Sequence, residues 1–164
     1  MSRQLYLIFR SEEDCGATRE KYGWDDIRTE IIPAEKGLDG YTVLAYYGEG
    51  RLTDGFGEMR ALASENRDCV KLLLNGRAAE ADERSAERLT SLFRKSVNIL
   101  ENITRWSAFL RENIGELGEV GFLIHYDCSW DFSDVLFDEK SFKSLTFEDM
   151  LSLKENTVLW VTYS

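Results

Sequence analysis

Proline, histidine and clustered cysteine are scarce in this sequence of 164 residues, and the scarcity excludes several classes of protein. With a single proline, Pro33, and no Gly/Ser/Pro-rich tract, the chain has no recognisable linker, which predicts one domain spanning 1–164. Cys15, Cys69 and Cys128 form no CxxC pair and no Cys/His cluster, which excludes zinc fingers and thioredoxin-like redox centres. Scattered thiols are typical of a reducing cytosol, so we predict a cytoplasmic protein without a metal site or a cofactor.

Long apolar runs and an excess of basic residues are also missing. The first apolar run, Leu5–Phe9, has five residues, whereas a signal peptide needs about 7–15 and a membrane span about 18. Lys and Arg number 20 against 30 Asp and Glu, which gives a net charge of −10. Because phosphate backbones and anionic membrane surfaces are bound through Lys and Arg, we expect neither a nucleic-acid partner nor a membrane partner.

Five short segments rich in β-branched, aromatic and aliphatic residues predict β-strands. They are Leu5–Arg10, Tyr41–Tyr47, Cys69–Leu74, Val120–Tyr126 and Thr157–Tyr163. Most of them are nearly continuous apolar runs, which indicates strands that are buried on both faces.

Capping signals predict a helix near each end of the chain. Ser11 precedes three acidic residues and can cap a first helix, which we expect to be broken and to end before Pro33. Thr146 and Asp149 resemble an N-cap arrangement for a short helix over Phe147–Leu153.

The strongest helical signal extends from Glu80 to about Leu117, where apolar residues recur every three or four positions. This stretch is either one long helix or two helices joined near Asn102. The order of elements favours an α+β two-layer sandwich, in which one long helix and shorter helices pack on a mixed or antiparallel sheet of about five strands. A doubly wound α/β fold is the alternative, but the glycines of Gly48–Gly57 lack the spacing of a phosphate-binding loop.

An aromatic and acidic segment occupies positions 126–139, and it contains no base before Lys140. Residues 118–164 carry nine acidic and three basic side chains, the largest acidic excess of any third of the chain. We interpret the segment as a surface that binds a basic protein, because aromatic anchors supply contact energy and carboxylates steer a cationic partner. The predicted contact residues are Tyr126, Asp127, Trp130, Asp131, Phe132, Asp134, Asp138 and Glu139. The alternative is that the rings belong to the core and the acids point outward between them.

These features predict a non-catalytic acidic binding protein, either a monomer or a homodimer. Its size, its charge and its lack of motifs are similar to those of bacterial immunity proteins, so we expect it to block the active cleft of a basic toxin effector. A first alternative is an enzyme acting on a small or nucleotide-like substrate, with His125 and Asp127 as the acid–base pair. A second is an oligomeric accessory or structural subunit, in which Ile99, Trp106 and Phe109 would not all be buried within one chain.

Overall fold

A computed structural model describes residues 3–25, 27–33, 37–51, 102, 104–126, 131–146, 149–150 and 153–164. Its elements are β1 (Arg3–Phe9), α1 (Glu12–Tyr22), β2 (Thr29–Ile32), β3 (Thr42–Tyr46), α2 (104–117), β4 (Glu119–Tyr126), β5 (Leu136–Ser141) and β6 (Thr157–Thr162). The strands form a six-stranded sheet in the order β2-β3-β1-β4-β6-β5. Neighbouring strands are antiparallel, except that β5 runs parallel to β6. The sheet is therefore mixed, and the predicted α+β class is confirmed in place of a doubly wound fold.

Four of the five predicted strands are present as β1, β3, β4 and β6, whereas Cys69–Leu74 lies outside the described residues. The sequence analysis missed β2 and β5. The first helix ends before Pro33 as expected, but α1 is one unbroken helix that stops at Tyr22, and β2 follows it at Thr29–Ile32. β5 is largely exposed and has no apolar pattern, which is why it was not recognised as a strand.

The predicted helix caps are confirmed. The backbone N–H of Asp14 donates to Ser11 Oγ at 3.2 Å, and α1 ends at Gly23, whose left-handed φ of 63° suits a residue without a Cβ atom. Thr146 N–H donates to Asp149 Oδ2 at 2.9 Å and Asp149 N–H donates to Thr146 Oγ1 at 3.2 Å, a reciprocal capping pair. Residues 149–150 are helical, and the rest of the short predicted helix lies partly outside the described residues.

Of the stretch from Glu80 to Leu117, only the last part is described. Residue 102 and residues 104–117 are helical, and the helix ends at Leu117 as predicted. Its extent towards Glu80 lies outside the described residues. The buried apolar side chains of α2 follow the helical period and face the sheet; they are Trp106, Phe109, Leu110, Ile114 and Leu117. Within the described residues, no helix is both long and apolar enough to cross a lipid bilayer.

The sheet carries a hydrophobic core on each face, which confirms the expectation that several strands are buried on both faces. Alternate residues of a strand point to opposite faces, so β1 directs Leu5 and Leu7 to one core and Tyr6 and Ile8 to the other. The helix-side core contains the apolar residues of α2 together with residues of β1, β3, β4 and β6. The loop-side core contains Tyr6, Ile8, Ile32, Leu38, Val43, Ala45, Leu123, Phe132, Val158 and Trp160.

Two loops cover the loop-side core. Leu38 lies between β2 and β3, Phe132 lies between β4 and β5, and both are fully buried. The loops also touch each other at Gly37, where a Cβ atom would lie 1.9 Å from the carbonyl oxygen of Phe132. Because Gly37 also has a φ of 83°, both the space and the backbone conformation require glycine there. This contact places Gly37 against the middle of the aromatic and acidic segment, at Phe132 and Ser133.

Candidate partner-binding surface at the sheet edge

β5 is the last strand of the sheet, and most of its side chains are exposed. Leu136 is 67% exposed and Phe137 is 46% exposed, so the strand leaves two consecutive apolar residues uncovered. The strand is held on one side by its parallel pairing with β6 and begins where Leu136 N–H donates to the carbonyl of Asn156 at 2.9 Å. Its other backbone edge has no partner strand in the described sheet.

Three aromatic rings join the exposed strand to the loop-side core. Phe137 pairs with Val158 of β6 and therefore lies on the loop side of the sheet. Its ring lies 6.2 Å from the ring of Trp160 and 6.2 Å from that of Tyr41, between centroids. Tyr41 in turn meets Trp160 edge-on at 5.3 Å. Trp160 is buried, so it supports the two outer rings from below while they remain accessible to a partner.

The space for Trp160 is provided by the neighbouring strand. Gly121 of β4 is the register partner of both Ile8 of β1 and Trp160 of β6. A Cβ atom at Gly121 would lie 2.7 Å from Trp160 Cε3 and 2.8 Å from Val158 Cγ1. The indole thus lies over the glycine, and its Nε1 donates to Glu119 Oε2 at 3.1 Å. The position of the outer rings consequently depends on a residue with no side chain.

Four carboxylates lie on β5 or in the loop that precedes it. Asp131 and Asp134 lie in the loop before β5, and Asp138 and Glu139 belong to the strand; all four are exposed. Asp131 Oδ1 accepts a hydrogen bond from Ser133 N–H at 3.0 Å, which fixes the turn that enters β5. The carboxylates of Asp134, Asp138 and Glu139 make no hydrogen bond or ion pair with a described residue. We call Tyr41, Leu136, Phe137, Asp138 and Glu139 the edge patch.

Of the predicted contact residues, Asp131, Asp134, Asp138 and Glu139 lie on the surface at or beside the edge patch. Phe132 does not belong to that surface, because it is fully buried and packs against Tyr6 at 5.8 Å and His125 at 5.0 Å between ring centroids. Its expected role as an exposed anchor is therefore corrected to that of a core residue. Tyr126 ends β4, and Asp127 and Trp130 lie outside the described residues.

The alternative catalytic residue His125 is buried, with 6% of its surface exposed. Its ring packs against those of Tyr6, at 6.4 Å, and Phe132, at 5.0 Å between centroids, a position typical of a structural histidine. The partner proposed for it, Asp127, lies outside the described residues. Little of the imidazole surface is therefore accessible to a substrate.

The oligomeric alternative required an apolar face of the long helix to remain exposed. Trp106 and Phe109 are instead 1% and 4% exposed in the single chain, because both pack into the helix-side core. Ile99 lies outside the described residues. Trp106 and Phe109 are therefore buried within one chain and need no second copy to cover them.

The predicted contact residues did not include Tyr41, Leu136 or Phe137, all of which are exposed. Tyr41 is 36% exposed and is 96 positions away from Phe137, so nothing local in the sequence connects the two rings. The available signal was the strand itself: Leu136 and Phe137 are followed at once by Asp, Glu and Lys, a pattern that fits an edge strand exposed on both faces.

Comparison with known proteins found no similar protein. The chain matches no protein-family profile, no curated protein and no solved structure. What the fold and the site define is a class: an α+β protein with a mixed six-stranded sheet and an acidic, partly aromatic sheet edge.

Proposed function

We propose that this chain is a non-catalytic binding protein that holds a basic protein partner through the edge patch. The partner we have in mind is a toxin effector whose cationic cleft binds an anionic substrate, so that docking of this chain inhibits the effector. The observation that carries the proposal is the exposure of Leu136 and Phe137 beside the carboxylates of Asp138 and Glu139.

The exposed rings supply the contact energy in this proposal. Interfaces depend on a few apolar and aromatic anchors at their centre, and removal of such an anchor typically costs about 2 kcal/mol or more. Phe137 and Tyr41 are half-exposed rings with a rigid support in Trp160, so a partner can cover them at little cost in side-chain ordering.

The carboxylates make the surface selective for a basic partner. Asp138 and Glu139 have no described partner within the chain, so a cationic side chain can pair with them without breaking an internal ion pair. Their negative potential raises the association rate of a basic protein, and it opposes edge-to-edge pairing of β5 with another copy of the same strand. In a cleft built for phosphate groups, the same carboxylates would take the positions of the substrate anions.

The experiment first identifies the partner and then measures its affinity. The immobilised chain captures candidate partners from a lysate of its source, and each candidate is identified by mass spectrometry, purified and titrated against the chain by calorimetry. We expect F137A and D138K each to raise Kd by about 30-fold, which corresponds to a loss of about 2 kcal/mol. An inhibited effector should regain activity with either variant.

The matched control is E116K, which makes the same change in net charge at an exposed position of α2. It should bind the partner as the unmodified chain does. Equal weakening by D138K and E116K would mean that overall charge, and not the edge patch, controls binding. Unchanged affinity in both F137A and D138K would contradict the proposal.

A further inference from the structure

A second concave site lies on the helix side of the sheet, opposite the face that carries Tyr41 and Phe137. It is a cleft of about 360 Å³ bounded by the end of α1, the chain that leads to β2, the end of β3 and one face of α2. Arg105, Phe109 and Glu112 line it together because residues three and four positions apart share a helix face. Its volume lies in the range of pockets that hold small molecules.

The walls of the cleft are aromatic. The ring of Trp24 stacks on that of Tyr22 at 5.0 Å with an interplanar angle of 22°, and on that of Phe109 at 6.1 Å with an angle of 19°. Tyr46 meets Trp24 edge-on at 5.2 Å, and Trp106 meets Tyr46 edge-on at 5.1 Å. These rings are mostly buried against one another, so they form an apolar floor to the cleft and only their outer atoms face its opening.

Two arginines stand at the rim, which is notable in a chain with a net charge of −10. Arg28 and Arg105 are exposed, and neither forms an ion pair with a carboxylate of the described residues. Arg105 Nη1 donates to the carbonyl oxygen of Glu49 at 2.8 Å, which orients the guanidinium group. A guanidinium group has five N–H donors, so several remain for an anionic group of a ligand.

The rim also carries three polar side chains that hydrogen-bond to one another. Tyr22 donates its hydroxyl proton to Glu112 Oε2 at 2.7 Å, and Asn113 Nδ2 donates to the Tyr22 oxygen at 2.6 Å. Burial, and then the hydrogen bond to Glu112, raises the pKa of Tyr22 above its ordinary value of 10.0. The ring of Tyr22 is therefore held in one orientation beside the opening.

We infer that this cleft binds a small molecule that combines a planar ring with an anionic group. The ring would lie against the aromatic walls, and the carboxylate or phosphate would accept hydrogen bonds from Arg28 and Arg105. The inference is independent of the proposed function, because it uses other residues, the other face of the sheet and the opposite sign of charge.

The test is calorimetric titration of the full chain with two matched pairs of probes. AMP is compared with adenosine, and indole-3-acetate with indole-3-acetamide, so that each pair differs in the anionic group and the two anions distinguish a phosphate from a carboxylate. We expect at least one anion to bind at millimolar concentration or below, and its neutral counterpart to bind about tenfold more weakly. R28A and R105A should each weaken the anion by a similar factor.

R111A is the matched control, because Arg111 is an exposed arginine of the same helix that does not line the cleft. It should bind the anion as the unmodified chain does. If R105A unfolds through loss of its contact with Glu49, R28A still decides the question. Binding of neither anion, equal binding of the neutral probes, or full binding by R28A would overturn the inference.

Discussion

Replacement of Phe132 by alanine tests the assignment of this ring to the core. Phe132 belongs to the segment that the sequence marked as a binding surface, yet its side chain has no exposed surface. If it is a core residue, F132A must destabilise the fold; if it is a surface anchor, F132A must weaken binding and leave the stability of the chain unchanged.

The magnitude follows from the surroundings of the ring. Phe132 packs edge-on against Tyr6 and at a tilt of 57° against His125, over the centre of the sheet where β1 and β4 are paired. Truncation of a fully buried phenylalanine to alanine removes its burial and leaves a cavity, which together cost about 3–5 kcal/mol. For a domain of this size, that loss lowers Tm by about 6–20 °C.

The assay is urea unfolding followed by circular dichroism, with F137A as the comparison. Phe137 is 46% exposed and lies five positions further along the same segment, so its truncation should cost clearly less, about 1 kcal/mol. A loss below about 1 kcal/mol for F132A, or an equal loss for the two variants, would refute the placement of Phe132 in the core.

Two further predictions concern other buried positions. G121A should destabilise the fold by about 1–3 kcal/mol, because its new methyl group overlaps the indole of Trp160 and the side chain of Val158. The overlap should also change the near-ultraviolet circular dichroism of Trp160. Denaturant unfolding measures the loss of stability, and an unchanged midpoint would contradict the prediction. Burial raises the pKa of the Cys15 thiol to about 11 from an ordinary value of 9.0. Between these two pH values the thiol is deprotonated in the unfolded state but still protonated in the folded state. The free energy of unfolding therefore falls as pH rises from about 9 to about 11. This fall in the free energy of unfolding should be up to about 2–3 kcal/mol larger for the unmodified chain than for C15A. Parallel curves of unfolding free energy against pH for the two proteins would disprove it.

Much of the fold could be predicted where the information is local. Ser11 and the pair of Thr146 with Asp149 cap helices through hydrogen bonds that span three residues, so the sequence contains both partners of each bond. Strands such as Val120–Tyr126 carry apolar residues on both faces because both faces are covered. The residue types therefore predict the burial of these strands directly.

The candidate site was predicted only in part. The carboxylates of Asp138 and Glu139 were correctly expected on the surface, because ionised groups without partners remain in water. Phe132 and Phe137 have the same side chain and similar neighbours, yet one is core and the other is exposed. Nothing in their local sequence distinguishes them, since the difference lies in whether another strand or loop covers the position.

The sequence by itself determined the helix caps, the doubly buried central strands and the acidic excess of the last third, because each depends on residue type and short spacing. Tertiary structure decided which ring is exposed and which is core, and it brought Tyr41 to Phe137 and Arg28 to Arg105. The physical reason is that exposure and proximity depend on how the strands are ordered across the sheet. That order is fixed by contacts between segments far apart in the chain, and both surfaces proposed here are formed by such contacts.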